Sequence, residues 1–265
     1  MKMFLGKKEC QRMDKGSWEF KYAPKSFRKD SFILPDEVRN QLLEVIRGRW
    51  KENLLLSGTA GTGKTSVCKI LKENSQDFEI IDCAQYKSNS NWQAEGKGYN
   101  KVIRNTVNLT TIAEGLDNKK KIQRLVILEE FDEIVSQSLF KTILSDTTDT
   151  LFILTTNNPD EIIEPIKNRC VQIDFGFSSY LWNENEPYGA KKQIQKDLRL
   201  LAKRILKKEL RGSTAEKNAI LDNPDTIKFF LNVINQEYPS VRKCLKEFRR
   251  YIVNKKLEIP ERYLI

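Results

Sequence analysis

The 265-residue chain carries 46 Lys+Arg against 36 Asp+Glu, 39% hydrophobic residues and no histidine. That length and composition suit one large globular domain or two modest ones, and they exclude imidazole catalysis and histidine-held metal sites. The positive charge is uneven: residues 186–265 hold 19 Lys+Arg against 10 Asp+Glu, which points to a polyanion such as nucleic acid or to a solvated helix face.

The start, MKMFLGKKECQR, is too short and too charged for a signal peptide, and no apolar run is long enough to span a bilayer. The protein is therefore expected in the cytoplasm, with no membrane partner. Cys10, Cys68, Cys83, Cys170 and Cys244 are scattered, odd in number and without a CxxC pair, so reduced thiols are expected rather than a disulfide framework. Apolar runs then recur at NLLLS (53–57), FEIID (78–82), RLVILEE (124–130), TLFILTT (150–156) and VQIDF (171–175). Runs this apolar on both faces suit parallel strands covered by helices, which predicts an α/β core.

Directly behind the first run stands GTAGTGKTS, that is Gly58, Thr59, Ala60, Gly61, Thr62, Gly63, Lys64, Thr65 and Ser66. The stretch satisfies G-x-x-x-x-G-K-[ST], with a strand before it and the helical SVCKILKE after it. Glycines let backbone amides curl around a phosphate, and the following helix adds the positive end of its dipole. Lys64 is expected to neutralise the β and γ phosphates of ATP, and Thr65 to ligate Mg²⁺. Hydrolysis needs an acidic element at a neighbouring strand end. LVILEEFDE supplies it, with Glu129 placed for the Mg²⁺ shell and Glu130 for a base that orients water. In LTTNNP, Asn157 or Asn158 is suited either to hydrogen-bond the γ phosphate or to form a turn. Arg169 has no acidic residue close to it in sequence and reads either as a surface ion-pair partner or as an arginine finger for a neighbouring subunit.

After Phe175 the polar stretch GFSSYLWNENEPYG reads as a hinge. Helical spacing follows: Ile194, Leu198, Leu201 and Ile205 share one face, a second helix is predicted over Asp225–Glu237 and a third from Val241 to about Asn254. These predict a small all-helical domain, with the chain dividing into a nucleotide-binding core (1–178) and a lid (179–265).

Taken in order, the phosphate loop, acidic strand end, TTNN, EPIKNRC and basic helical domain resemble the AAA+ ATPases, and more narrowly the ATPase subunits of sliding-clamp loaders, both replication factor C small subunits and the loader of T-even-like phages. The similarity runs from about Ser17 to about Asn254. It implies a P-loop core with a five-stranded parallel sheet, ATP hydrolysis, and work on DNA replication in an oligomer with other loader subunits, a sliding clamp and primer-template DNA. If the chain is phage-encoded, the compartment is the host cytoplasm. The family's K-Y-R-P element, close to the nucleotide base, reads Lys21-Tyr22-Ala23-Pro24, so Tyr22 and Pro24 are the implied base contacts. Its S-R-C finger motif reads Asn168-Arg169-Cys170, Asn157 matches its sensor position, and Arg242 matches the sensor arginine of its lid. Its V-R-N element facing DNA reads Ile103-Arg104-Asn105, which makes Lys101, Arg104 and Asn105 the implied DNA contacts. Two departures stand out: the acidic box begins with Glu129 where the family has Asp, and the chain stops at Ile265 without the family's helical collar. Other AAA+ replication or recombination ATPases, such as a helicase loader or initiator, and a nucleotide-gated scaffold with little hydrolysis are the competing expectations.

Overall fold

Three of the five apolar runs, 53–57, 124–130 and 150–156, sit almost entirely out of solvent once folded, as strands packed between helices require. The computed structural model describes residues 18–86, 124–134, 137–146, 150–176 and 189–263. A short helix, α1 (Trp18–Lys21), comes first, and α2 (Asp36–Ile46) precedes the sheet. The sheet's strands and intervening helices are β1 (Asn53–Ser57), α3 (Lys64–Asn74), β2 (Phe78–Asp82), β3 (Arg124–Glu129), α4 (Phe140–Asp146), β4 (Thr150–Thr156), α5 (Glu164–Lys167) and β5 (Cys170–Asp174). Beyond them lie α6 (Gly189–Glu209), α7 (Thr214–Asp222), α8 (Pro224–Glu237), α9 (Val241–Arg250) and a small hairpin, β6 (Ile252–Val253) with β7 (Lys256–Leu257).

Contacts divide the described residues into two compact units, Lys25–Ile194 in one and those up to Pro24 with those from Gln195 onward in the other. The N-terminal residues Trp18–Pro24 thus group with the helical part, where Trp18 is buried and Lys21 and Tyr22 both reach Glu209 at 2.6 and 2.5 Å.

In the first unit the five strands form one all-parallel sheet in the order β2-β3-β4-β1-β5. β4, buried along its whole length, lies between the strand that leads into the phosphate loop and the strand that ends in the acidic box. The apolar layer over it gathers Leu55, Val126, Phe131, Phe152, Ile162 and Ile166, and Phe131 meets Phe140 edge-on with ring centroids 5.1 Å apart. Burying each such ring stabilises the fold by about 3 kcal/mol relative to leaving it exposed. Asn53, at the start of β1, ties neighbours together: its side-chain oxygen accepts from the Phe152 amide at 3.1 Å, and its side-chain nitrogen donates to the Leu144 carbonyl at 3.1 Å.

Within α2, the buried Arg39 organises the segment that precedes the helix. Its guanidinium donates to the carbonyls of Phe27, Phe32 (3.1 Å) and Leu34 (2.9 Å). Arg39→Ala leaves those carbonyls unmatched in the interior and is expected to lower stability by about 2–4 kcal/mol in urea unfolding; a loss below about 0.5 kcal/mol contradicts this role.

In the second unit Phe229 and Phe230 of α8 pack on Phe248 of α9, and Tyr251 and Tyr263 complete the ring cluster around Phe229. Glu247 accepts from the hydroxyls of Tyr251 (3.1 Å) and Tyr263 (3.0 Å), which satisfies their polar ends. The region is helical as expected, with a small hairpin added at its end. The third helix ends at Arg250 rather than near Asn254, because Asn254 and Lys255 take left-handed backbone (φ 49° and 63°) to form the tight turn of the β6–β7 hairpin. A further helix, α7, starts at Ser213, whose side chain and that of Glu216 cap each other's backbone amides.

Candidate functional site

Parallel strands all present their carboxyl ends on one edge, and loops that leave this edge are where such sheets build sites. Gly58 to Gly63 leave β1 there. Gly58 and Gly63 hold φ at 136° and 115°, and a Cβ at Gly63 would come within 2.9 Å of the Phe32 ring, so both conformation and space require glycine. Thr62 is buried and its hydroxyl donates to the Thr59 carbonyl at 2.9 Å, which closes the loop on itself. No side chain caps the start of α3, so its first amide N–H groups, including those of Thr65 and Ser66, are left for an acceptor in front of the helix. Ala60 and Thr65 are exposed, and Gly61 and Ser66 are half-buried.

Lys64, only 7% exposed, lies across this loop. Its ammonium donates to the carbonyls of Gly58 (2.5 Å) and Thr59 (3.1 Å) and to Oδ1 of Asn157 (3.0 Å). The phosphate-loop lysine and the asparagine at the end of β4 are thus brought together by two neighbouring strands. Asn158, one residue on, donates to Asp132 at 3.2 Å instead.

The end of β3 is crowded with negative charge. Glu129 pairs in register with Asp82 at the end of β2, and Asp132 and Glu133 follow in the next turn. Burial, then the repulsion of Asp82, raises the Glu129 carboxyl above the ordinary carboxylate range, with Lys69 acting against it. Glu130 is raised by the same two causes and by Asp132 and Glu133, with Lys64 acting against it. Glu130 also holds left-handed backbone, φ 54°, uncommon for a non-glycine residue, and its amide donates to Thr155 Oγ1 at 3.2 Å. Backbone strain of this kind concentrates at functional sites.

The same donor set suits a hard divalent cation. Glu129 lies close enough to Cys68, one turn along α3 from Thr65, to raise its thiol further after burial has done so. A hydroxyl and a carboxylate next to an excess of negative charge match what Mg²⁺ takes when phosphate oxygens complete its shell. Among the described residues no group of three or more His, Cys, Asp or Glu side chains forms a cage for a metal by itself.

Arg169 is placed quite differently. It precedes β5 by one residue, and its carbonyl accepts from Asn53 at the start of β1, the far end of that strand from Gly58. Its guanidinium is steadied by Ser145 Oγ (2.8 Å) and the Pro165 carbonyl (2.7 Å), remains exposed, and among the described residues pairs with no carboxylate. Five strand residues separate it from the phosphate loop, a distance of roughly 16 Å.

Tyr22, Pro24 and Arg242 belong to the other compact unit. The Tyr22 hydroxyl donates to Glu209, and burial and that carboxylate raise its proton affinity. Arg242, exposed in the first turn of α9, has Nε 3.6 Å from Glu19. Lys101, Arg104 and Asn105 lie outside the described residues. Asp82, Thr155 and Phe32 are site neighbours that the sequence does not single out. Asp82 had a signal, since it closes its apolar run as Glu129 closes the next.

A parallel sheet with a glycine loop behind one strand, carboxylates behind the next strand but one, and an asparagine between them in contact with the loop lysine defines a P-loop nucleotide-binding core. Within that class, residues 54–177 match the family "ATPase family associated with various cellular activities (AAA)". The chain is 32% identical over 164 residues to the replication factor C small subunit of Staphylothermus marinus, covering 60% of this chain and 46% of that protein. It is 33% identical over 170 residues to replication factor C small subunit 2 of Pyrobaculum arsenaticum, at 60% and 47% coverage. The chain thus spans about half the length of the curated relatives it matches. Among solved structures, a RuvB variant of Thermotoga maritima aligns with a TM-score of 0.44 and 14% identity over 88% of this chain and 74% of that one. No helix among the described residues is long and apolar enough to cross a membrane.

Proposed function

We propose that the protein is an ATPase subunit of a sliding-clamp loader, which binds ATP on the 58–66 loop and uses its hydrolysis to open a clamp and place it on primer-template DNA. The contact of Lys64 with Asn157 carries this reading, because it joins the phosphate loop to a neutral polar group at the next strand end, where the terminal phosphate of ATP is to be sensed. The similarity of this domain to replication factor C small subunits supports the choice of clamp loading over other AAA reactions. The whole is proposed to work in the cytoplasm as an oligomer, with a nucleotide-binding core and a helical lid that divide near residue 178, and with Trp18–Pro24 grouped with the lid.

Roles follow from the chemistry. The loop amides and Lys64 hold the phosphates. Thr65 and Glu129 would hold Mg²⁺, which when bound neutralises developing charge on the phosphate oxygens. Glu130 takes a proton from, or orients, the attacking water; a carboxyl raised toward the working pH is better matched to that task than an ordinary one. Tyr22 and Pro24 are assigned to the base, Arg242 to reporting the nucleotide state, and Lys101, Arg104 and Asn105 to DNA. Steady-state ATPase with and without primer-template DNA and a clamp tests the function: stimulation supports it, and tight ATP binding with no turnover in the assembled complex favours a nucleotide-gated scaffold.

Glu130→Gln is expected to keep ATP binding while hydrolysis falls by at least about 10²-fold. It also makes a stability prediction. A carboxyl whose folded pKa is raised contributes stability at low pH that is lost as pH rises from its ordinary value of 4.5 through the folded value. Removing the charge should therefore raise the apo protein's melting temperature at pH 7 by up to about 2 °C, small because the group is exposed, and leave it unchanged near pH 4. A normal hydrolysis rate would move the base to Glu129 or Asp132.

A further inference from the structure

Five of the 19 Lys+Arg of residues 186–265 lie on one short helix. Helix α9 turns Cys244, Leu245 and Phe248 inward, and it carries Arg242, Lys243, Lys246, Arg249 and Arg250 exposed. At 100° per residue those five cations fall within roughly 120° of the helix circumference. Between the first and last the helix rises about 12 Å, the length of three to four phosphate steps along one strand of duplex.

Two carboxylates reach part of this face. Glu19 stands 3.6 Å from Arg242 and 3.7 Å from Lys246, and Glu247, 3.0 Å from Arg250, is already an acceptor for two tyrosine hydroxyls and Arg262. The face keeps an excess of positive charge, five exposed cations against the carboxylates of Glu19 and Glu247. None of the exposed large hydrophobic residues among those described lies on α9, and its apolar side is buried in the ring cluster. A helix that inserts into lipid needs an exposed apolar flank beside its cations, and a protein hot spot needs aromatic or aliphatic anchors. A row of ammonium and guanidinium groups with neither is matched by a regularly spaced polyanion.

We propose that the exposed face of α9 beyond Arg242, formed by Lys243, Lys246, Arg249 and Arg250, is a second contact for the sugar-phosphate backbone of nucleic acid, separate from the contact assigned to Lys101, Arg104 and Asn105. The inference rests on the reading that the protein works on DNA, and it locates in the helical unit a grip that the core assignment does not include. It is independent of base sequence.

The test is equilibrium binding of fluorescent primer-template DNA by the full-length wild-type protein and by Lys243→Gln/Lys246→Gln, from about 50 to about 300 mM salt, with ATP binding measured on the same samples. Loss of two phosphate contacts should make the slope of log K against log salt shallower by about 1.8 and weaken binding at least about tenfold at the low-salt end. ATP affinity should stay unchanged, and Lys243→Arg/Lys246→Arg should bind as wild type, which separates charge from folding. An unchanged slope in the glutamine variant overturns this surface alone. Stronger binding of wild type to polyglutamate or to anionic phospholipid vesicles than to DNA, lost in the glutamine variant while the DNA slope is unaffected, also overturns it. Wild-type protein that binds ATP but no DNA overturns both the surface and the clamp-loading reading.

Discussion

Lys64→Ala is expected to lower kcat/KM for ATP by about 10³-fold, equivalent to about 4 kcal/mol of transition-state stabilisation. Among the described residues the ammonium is the one cation that the fold places inside the 58–63 loop, where it touches the Gly58 and Thr59 carbonyls and Asn157. Alanine removes the charge and also leaves two carbonyl dipoles with their negative ends toward incoming phosphate oxygens, so binding and turnover fall together. Arginine is not expected to rescue, because a planar fork cannot occupy the position of a compact ammonium that is 7% exposed. Calorimetric titration with ATP and a steady-state phosphate-release assay measure the two effects, with circular dichroism as the control for folding. Hydrolysis within fivefold of wild type would remove the central assignment, since nothing else in the loop supplies positive charge to the phosphates.

The local chemistry of this site is legible in the chain because it is written in consecutive residues. Glycine spacing, a lysine and a hydroxyl behind an apolar strand announce a phosphate loop without any knowledge of its neighbours, and the buried parallel strands betray themselves by being apolar on both faces. Strand order is a different kind of information. That Asn157 reaches Lys64, and that Asp82 faces Glu129 in register, depends on which strands pair, and short apolar runs carry no label for their partners. The left-handed backbone of Glu130 is likewise hidden, because a glutamate gives no warning of a conformation more usual for glycine. Nothing in the residues around Arg39 announces that the carbonyls of Phe27, Phe32 and Leu34 close around it. Helix α7 does carry a local signal, the Ser213 to Glu216 spacing of a capping box. The hairpin that truncates α9 had less of one, since Asn-Lys is a weaker turn former than Asn-Gly.

Arg169→Ala is expected to leave ATP affinity within about twofold of wild type and to reduce hydrolysis in the assembled oligomer by 10³-fold or more, the effect typical of a finger arginine. The reason lies in the sheet. Arg169 enters β5 at the end where β1 begins, and the phosphate loop leaves β1 at the other end, so the guanidinium stands roughly 16 Å from its own chain's nucleotide site. An arginine side chain cannot cross that distance through a packed sheet. If Arg169 acts on ATP at all, it acts on a neighbour's, and its hold on Ser145 and Pro165 keeps it aimed outward for that purpose. This makes a decisive experiment available in a homo-oligomer. Lys64→Ala subunits lack a working loop and keep the finger; Arg169→Ala subunits lack the finger and keep the loop. Each alone should be nearly inactive. Mixed, they should regain activity wherever a finger from the first meets a loop from the second, and Arg169→Ala mixed with wild type should depress activity more steeply than dilution does. Two inactive preparations that stay inactive together, under conditions where co-assembly is shown by native mass, would leave Arg169 a structural residue at the edge of the sheet.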